Sequence, residues 1–438
     1  MERGINLAGL AYTSNTYSEN FYYFAENPGE TMTVGLMRKL DFWVGIPSCF
    51  FLSLFYSAKK FFCPHPPLEK PIKKVLFLEL SEIGSTILSY PAMRTLKELY
   101  PDSELFFWIF ADNQDAVHLL NIIDRDKVLT VRTNNLLCFC KDIIQNLQRI
   151  REERIDAVID MELFSRFSSI LSFLSRARFR VGFGTFAQEG LYRGALRTHD
   201  VPYNPYQHIS RNYLALVYAL KSPPGQIPCV KECWKNSPGL LTLPVIESSQ
   251  ERKTRLWDML HRENPEIERC RKKVVIHPGI QDALPLRRWP LDNYLQLVEK
   301  LSSLPDLMII YSGVGGSPKE SGLYDRLKGP RTINLIGKTH IPDLIDLFNL
   351  SNLLISHDGG MIHIASLTRI PIIGIFGPET PDLYGPLKNN KTIFYASLSC
   401  SPCLTAYNHR VSPCNENRCV QAIPVDDVLQ SAIRVLNQ

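Results

Sequence analysis

Residues 353–378 read LLISHDGGMIHIASLTRIPIIGIFGP. An apolar run, Leu353-Leu354-Ile355, ends at Asp358 and two glycines, and a second run, Ile372–Phe376, follows a short helical pattern. Near-continuous apolar runs suit strands of a parallel sheet, which helices cover on both faces. The stretch between them has the make-up of a strand-to-helix turn. A helix starting near Gly359-Gly360 points free N–H groups into a crevice, and glycine lets phosphate oxygens reach the backbone. Asp358 either caps that helix or accepts from a sugar hydroxyl. His363 falls in the first turn, where it can hydrogen-bond a ligand. A helix cap with a core histidine is the plain alternative.

Working outward, the same alternation fills the chain from Lys73. Strands are expected at Val75–Leu80, Leu105–Phe110, Val128–Val131, Ala157–Met161 and Phe179–Phe183, with helices such as Thr86–Leu99 and Cys140–Arg151 between them. A second series runs Val274–His277, Leu307–Ser312, Thr332–Ile336, Leu353–Ser356 and Ile372–Phe376. This predicts an α/β chain of two Rossmann-like, doubly wound domains facing a cleft, with ligands at the C-terminal ends of the strands. The expected division is 73–245, a connection over 246–270, and 271–438.

Several loops carry chemistry. In HPGIQDALPLRRWP, 277–290, Gly279 turns off a strand, and Arg287 and Arg288 suit a diphosphate, which arginine can grip with two N–H groups. YSGVGGSPKE, 311–320, brings glycines near a ligand but matches neither G-x-G-x-x-G nor a P-loop. LELSEIGSTILSYPAMRTLKELYP, 78–101, is strand, turn and helix again, with Gly84 at the turn, Ser85 at the N-cap and Glu82 at the loop tip. Cys400, Cys403, Cys414 and Cys419 form a C-x2-C followed by C-x4-C, which fits either reduced thiols or a structural zinc site. Asp124-Arg125-Asp126 is a lone D-x-D in a loop, and neither G-x-S-x-G nor H-E-x-x-H occurs.

The composition bounds the rest. A net charge of +5, with no Lys/Arg run, excludes an ordinary nucleic-acid binder and leaves room for a basic face on anionic lipid or phosphorylated glycan. Eleven scattered cysteines without a signal peptide indicate a reducing cytoplasm. Residues 1–37 read as a disordered leader, with Met32 and Met37 as alternative starts. Residues 38–72 hold an uncharged stretch, Phe42 to Ala58, interrupted by Pro47, and then the stiff Pro64-His65-Pro66-Pro67 linker. That stretch is about 25 Å long as a helix, short of a ~30 Å hydrocarbon core. Three readings fit it: an interfacial or re-entrant anchor, a helix packed on the protein, and a true span.

Together the motifs LSEIGSTILSYPAMRTLK, HPG…RRWP, HDGGMIHIASLTRIPIIGIFGPETPDLYGPL and CSPC…C…C resemble glycosyltransferase family 9, the heptosyltransferase-like proteins, from about Lys73 to Val428. The resemblance implies a GT-B fold with an N-terminal acceptor domain and a C-terminal nucleotide-sugar domain. It implies a metal-independent, inverting transfer, from ADP-heptose above all, onto lipopolysaccharide core or a related cell-surface glycan, with no cofactor required. It places Arg287, Asp358, Gly359, Gly360, Met361 and His363 on the donor, with Gly279, Arg288, Ser312, Gly313 and Glu320 beside them. Gly84, Asp160, Glu162 and Arg166 fall on the acceptor side. The implied setting is the cytoplasmic face of a bacterial inner membrane, with a lipid-linked or core-oligosaccharide acceptor. The family pattern has Gly-Asp in the first loop, its Asp acting as base; here the pair is Gly84-Ser85. A serine hydroxyl does not titrate near neutrality, so Glu82 is the expected substitute. The rival readings are a nucleotide-sugar-binding protein that has lost its base, and a nucleotide-sugar epimerase of the same architecture.

Overall fold

The expected apolar runs of the first half lie side by side in one parallel sheet. They are β1 (Lys74–Leu78), β2 (Glu104–Phe110), β3 (Val128–Val131), β4 (Ala157–Asp160) and β5 (Phe179–Gly184), with β6 (His199–Pro202) added at one edge. The second half repeats the plan with β7 (Lys272–His277), β8 (Leu307–Tyr311), β9 (Thr332–Asn334), β10 (Leu353–His357), β11 (Ile372–Phe376) and β12 (Lys391–Tyr395). This computed structural model describes residues 34–62, 71–163, 165–184, 192–228, 239–279, 284–313, 326 and 328–438. The leader up to residue 33, the 64–67 linker and Glu320 lie outside the described residues.

The strand orders are β3-β2-β1-β4-β5-β6 and β12-β11-β10-β7-β8-β9. Both are the doubly wound order, read from opposite ends, so each sheet reverses direction once, between β1 and β4 and between β7 and β10. Ligands of open α/β sheets sit at such switch points. The 78–85 loop leaves β1, Asp160 ends β4, Gly279 follows β7 and Asp358 follows β10. The candidate residues thus converge by topology. Val75 to Leu78 and Leu353 to Ile355 are fully buried, as strands covered on both faces must be. β6 and β12, HDVP and KTIFY, gave no apolar run because they are edge strands, where polar residues and Pro202 are tolerated.

The helices are α1 (Val34–Trp43), α2 (Gly45–Phe62), α3 (Ile83–Leu88), α4 (Tyr90–Leu99), α5 (Gln114–Leu120), α6 (Leu136–Glu152), α7 (Arg166–Leu174) and α8 (Ile209–Ala219) in the first half. In the second half they are α9 (Gln250–Glu263), α10 (Leu291–Ser302), α11 (Ile341–Leu350), α12 (Gly360–Ser366), α13 (Pro381–Tyr384), α14 (Arg418–Gln421) and α15 (Val425–Leu436). Two local expectations change, and the expected connection is seen in place. The single helix expected over Thr86–Leu99 is two, α3 and α4, divided at Ser89 with Pro91 in the first turn of α4. The 38–62 segment is also two helices. They are separated only at Val44, whose N–H still donates to Leu40 O at 3.0 Å and whose carbonyl accepts from Ser48 N–H at 3.1 Å, and Pro47 sits in the first turn of α2. The expected connection packs on the second half: Arg252 Nε bonds Asp346 Oδ2 at 2.9 Å, and the Ile246 N–H donates to Leu367 O at 2.6 Å.

At the end of β4 a charge pair is sealed into the core. Asp160 and Arg193 are both fully buried and bonded to each other, and Ser168 Oγ donates to Asp160 Oδ2 at 3.1 Å. Arg193 also donates to the carbonyls of Ser165 (2.8 Å) and Phe183 (3.2 Å). Burial pushes the Asp160 carboxyl above its ordinary range and Arg193 below its own, and their pairing opposes both shifts. Removing one partner leaves an uncompensated charge. Asp160→Ala is therefore expected to lower the unfolding free energy by about 3–5 kcal/mol in urea titration, whereas a loss under ~1 kcal/mol would mean that the pair contributes no more than a surface bridge.

Candidate active site

The first loop is organised by Glu82. Its carbonyl accepts from the Thr86 N–H at 3.0 Å, so α3 begins at Ile83, and Gly84 and Ser85 lie inside the first turn, not at a turn and an N-cap. Ser85 Oγ donates to Glu82 Oε2 at 2.7 Å. The serine that stands where an acid was expected therefore orients the acid beside it. Gly84 is required by a close approach. A Cβ there would fall 2.7 Å from His363 Cδ2, so the small residue lets α3 of the first half pack on α12 of the second.

From the second half, Arg410 reaches across to Glu82. Both guanidinium Nη atoms contact the carboxylate, Nη2 at 3.3 Å from Oε2, and Nε lies 2.9 Å from Glu379 Oε1. Glu379, on the loop after β11, in turn accepts from Arg287 Nη1 at 3.3 Å, and that nitrogen lies 3.5 Å from Asp358 Oδ2. Glu82, Arg410, Glu379, Arg287 and Asp358 thus form a row of alternating charge from one domain to the other. The ring of Tyr384 lies 5.3 Å from the Arg410 guanidinium carbon, a cation–π contact.

The row sets the protonation states. Burial works against the charge on Glu82, but Arg410 and the Ser85 hydroxyl outweigh it and hold the carboxyl below its usual range. Glu82 is therefore ionised at neutral pH. Asp358 is pushed up to about 7 by burial and by neighbouring Glu379, with Arg287 opposing. It does not cap α12; Gly359 occupies the N-cap position. Glu79, behind Glu82, is driven well above the carboxylate range by burial and by Glu162 and Glu82.

His363 is buried, its Nδ1 has no hydrogen-bond partner among the described residues, and burial pushes it down to about 3. It is a neutral ring throughout the working range, neither cation nor base. His208 is neutral too, pushed down to about 4 by burial, and its Nε2 lies 2.9 Å from Gly385 O across the domain boundary. Met361 is buried beneath Gly359 and Gly360, which are partly exposed. Ser312 is buried at the end of β8. Its carbonyl meets His277 Nδ1 at 2.9 Å, and its Oγ has no partner among the described residues. Gly313 follows it. Arg288 is half-buried beside Arg287, with an Nε that finds no acceptor there.

The residues that the family resemblance puts on the acceptor side are engaged within the first half. Glu162 Oε1 accepts from the Leu80 N–H at 2.8 Å, and burial pushes this carboxyl up to about 7. Arg166 Nη1 bonds Asp41 Oδ2 on α1 at 3.1 Å. The four C-terminal cysteines are free thiols, Cys400 exposed and Cys419 buried. Among the described residues no group of three or more His, Cys, Asp or Glu side chains is arranged to hold a metal ion.

Sequence reasoning passed over Arg410, Glu379 and Tyr384. Glu379 and Tyr384 stand inside the GPETPDLYGPL stretch and carry the strand-end signal of Asp358. Arg410 carries no local signal, because its partner Glu82 is 328 residues away.

Two doubly wound domains with their switch-point loops face to face make a GT-B type protein. Solved structures share this fold. One is the E. coli ADP-heptose LPS heptosyltransferase II, with a TM-score of 0.63 at 17% identity over 83% of this chain and 99% of that one. Another is the E. coli heptosyltransferase WaaC with ADP, at 0.57 and 14% over 83% and 99%. In sequence, a lipooligosaccharide heptosyltransferase 2 of Campylobacter jejuni is 25% identical over 44% of this chain, a match that spans 62% of the relative's length. The chain belongs to glycosyltransferase family 9 (heptosyltransferase), whose model matches residues 143–411.

Replacing Arg410 by Gln removes the cation that keeps Glu82 ionised and leaves burial to dominate. The acid limb of the pH profile for kcat/KM is therefore expected to move to higher pH in Arg410→Gln. An unmoved limb would mean that Arg410 does not govern the ionisation of Glu82.

Proposed function

We propose that the chain transfers a sugar from a nucleotide-diphosphate donor to a hydroxyl of a cell-surface glycan acceptor, with heptose from ADP-heptose and a lipopolysaccharide core as the leading pair. The observation that carries this reading is the Glu82–Arg410–Glu379–Arg287–Asp358 row. It places an ionised carboxylate and two guanidinium groups in one crevice between domains. The family supports a sugar donor, and the structural neighbour described with ADP favours adenine as its base.

In this reading the donor lies on the second domain, among the loops after β7, β8 and β10. Its diphosphate takes up the charge of Arg287 and Arg410, with Arg288 beside them. Glu82 accepts the proton of the acceptor hydroxyl as the oxygen attacks the anomeric carbon from the face opposite the diphosphate. The new C–O bond forms, the bond to the phosphate oxygen breaks with its electron pair on the diphosphate, and the configuration inverts. The arginines supply the positive charge that stabilises the leaving group, so the step needs no divalent ion. Neutral His363 and the Ser312 hydroxyl offer hydrogen bonds to the donor. The acceptor approaches from the first domain, at the cytoplasmic face of the membrane.

Two experiments test this. In a thermal-shift panel with ADP, GDP, UDP, CDP and dTDP, ADP is expected to stabilise the full chain, by about 2.7 kcal/mol at a hundred times its dissociation constant, equally with and without Mg²⁺. A shift with no nucleotide would remove the donor site. Glu82→Gln is expected to lower kcat by about 10²–10⁴ while nucleotide binding persists. Unchanged turnover would remove Glu82 from the mechanism. Absent turnover in the unmodified chain, with binding intact, would favour a binding protein, and conversion of the donor without acceptor would favour an epimerase.

A further inference from the structure

Helix α2 is patterned inside out. Its inward face carries the small Gly45, Cys49 and Ser53 together with Leu52 and Tyr56. Cys49 is fully buried, Ser53 Oγ accepts from the Ala195 N–H at 2.8 Å, and the Tyr56 ring packs edge-on against Phe173 at 5.6 Å between centroids. Gly194 takes φ +67° beneath it, and a Cβ there would fall 2.4 Å from Ser53 Oγ, so the helix is seated closely on the domain. The outward face is large and apolar. Phe50, Phe51, Leu54 and Phe55 are each more than half exposed, and Trp43 at the end of α1 is 74% exposed. A helix lying on a protein in water shows the reverse pattern. Small residues toward the protein and large apolar ones away from it are what a lipid-facing helix shows.

Geometry argues against a crossing. By length and composition Leu36–Ala58 could cross a membrane, and helical bonds continue through Val44 (Ser48 N–H to Val44 O, 3.1 Å), but one flank of α2 from Cys49 to Tyr56 is occupied by the domain. Lipid can cover only the outward face. Charge selects which lipid. Lys39 precedes this face, Lys59 and Lys60 follow it, and no acidic residue occurs from Phe42 to Leu68, while the half-buried Arg38 lies toward Arg410 and Glu82. Such a helix is attracted to an anionic leaflet.

The pair is also fixed to the cleft. Asp41 Oδ1 on α1 accepts from the backbone N–H groups of Arg166 (2.9 Å) and Phe167 (2.8 Å), capping α7 from outside, while Oδ2 bonds the Arg166 side chain. We propose that α1 and α2 form a foot that lies in the interface of an anionic bilayer leaflet, without spanning it, and holds the acceptor-side half of the cleft at the lipid surface. The choice of surface rests on the reading of a membrane-borne acceptor; the docking itself does not require it.

The test is flotation of the full chain with vesicles of phosphatidylcholine alone or mixed with phosphatidylglycerol, without donor or acceptor. The chain is expected to float with the anionic vesicles, less so as salt rises, and to be released from them by alkaline carbonate. The double variant Phe51→Glu, Leu54→Glu is expected to lose binding by about 10²-fold or more, with an unchanged Tm and unchanged turnover on a water-soluble acceptor. A chain that ignores both vesicles, a variant that still binds, or resistance to carbonate would overturn the proposal. A dimer in solution that the variant converts to monomer, without vesicle binding, would show that a second copy covers the face. Because flotation uses no substrate, failure here is separable from failure of the transfer assay.

Discussion

Arg410 faces carboxylates from both domains, and the rest of the site is arranged around the charge it supplies. Burial works against the charge on Glu82, and Arg410 is the cation that offsets it. One guanidinium serves both Glu82 and Glu379 because its planar fork presents donors in more than one direction. The same charge that keeps Glu82 ionised also lowers its basicity. A reaction that releases Arg410 toward an arriving diphosphate would restore basicity as the donor seats. The first-loop serine then fits, since its hydroxyl holds Glu82 in place.

The contact between the domains is built on close packing as well as charge. α3 and α12 meet through Gly84 and His363, and the buried His208 joins the first domain to Gly385. Both histidines are neutral because burial removes the water that would stabilise their cations. Positive charge in the crevice therefore comes from arginine, which burial cannot neutralise. This division leaves hydrogen bonding to the histidine and electrostatics to Arg287 and Arg410.

At the end of β4 and the start of α7 the polar groups are already paired within the first half. Asp160 belongs to a sealed pair with Arg193, and Arg166 is turned toward Asp41 on α1. These interactions tie β4, α7 and the N-terminal helices into one rigid unit, which links the apolar outer face of α2 to the wall of the cleft.

By itself the sequence determined the doubly wound halves, since runs such as Val75–Leu78 and Leu353–Ile355 are apolar without alternation and only strands covered on both faces want that. It also singled out Arg287, Asp358, Gly359 and His363, which lie on the segments that follow β7 and β10. It singled out Glu82 in the first loop, although Gly84 and Ser85 lie inside the first turn of α3 and not at a turn and an N-cap. Edge strands β6 and β12 were missed although the other two edges, β3 and β9, were read, because HDVP carries polar residues and Pro202 and KTIFY begins with a polar pair. Only the tertiary structure decided the partners. Arg410 meets Glu82 across 328 residues, Asp41 caps α7 from a segment outside the family's motifs, and Glu379 gains meaning from lying between two arginines. Local pattern reports what a residue needs from solvent and backbone. Which charge answers which is set by the folded path of the chain, and that is where the site's protonation states are fixed.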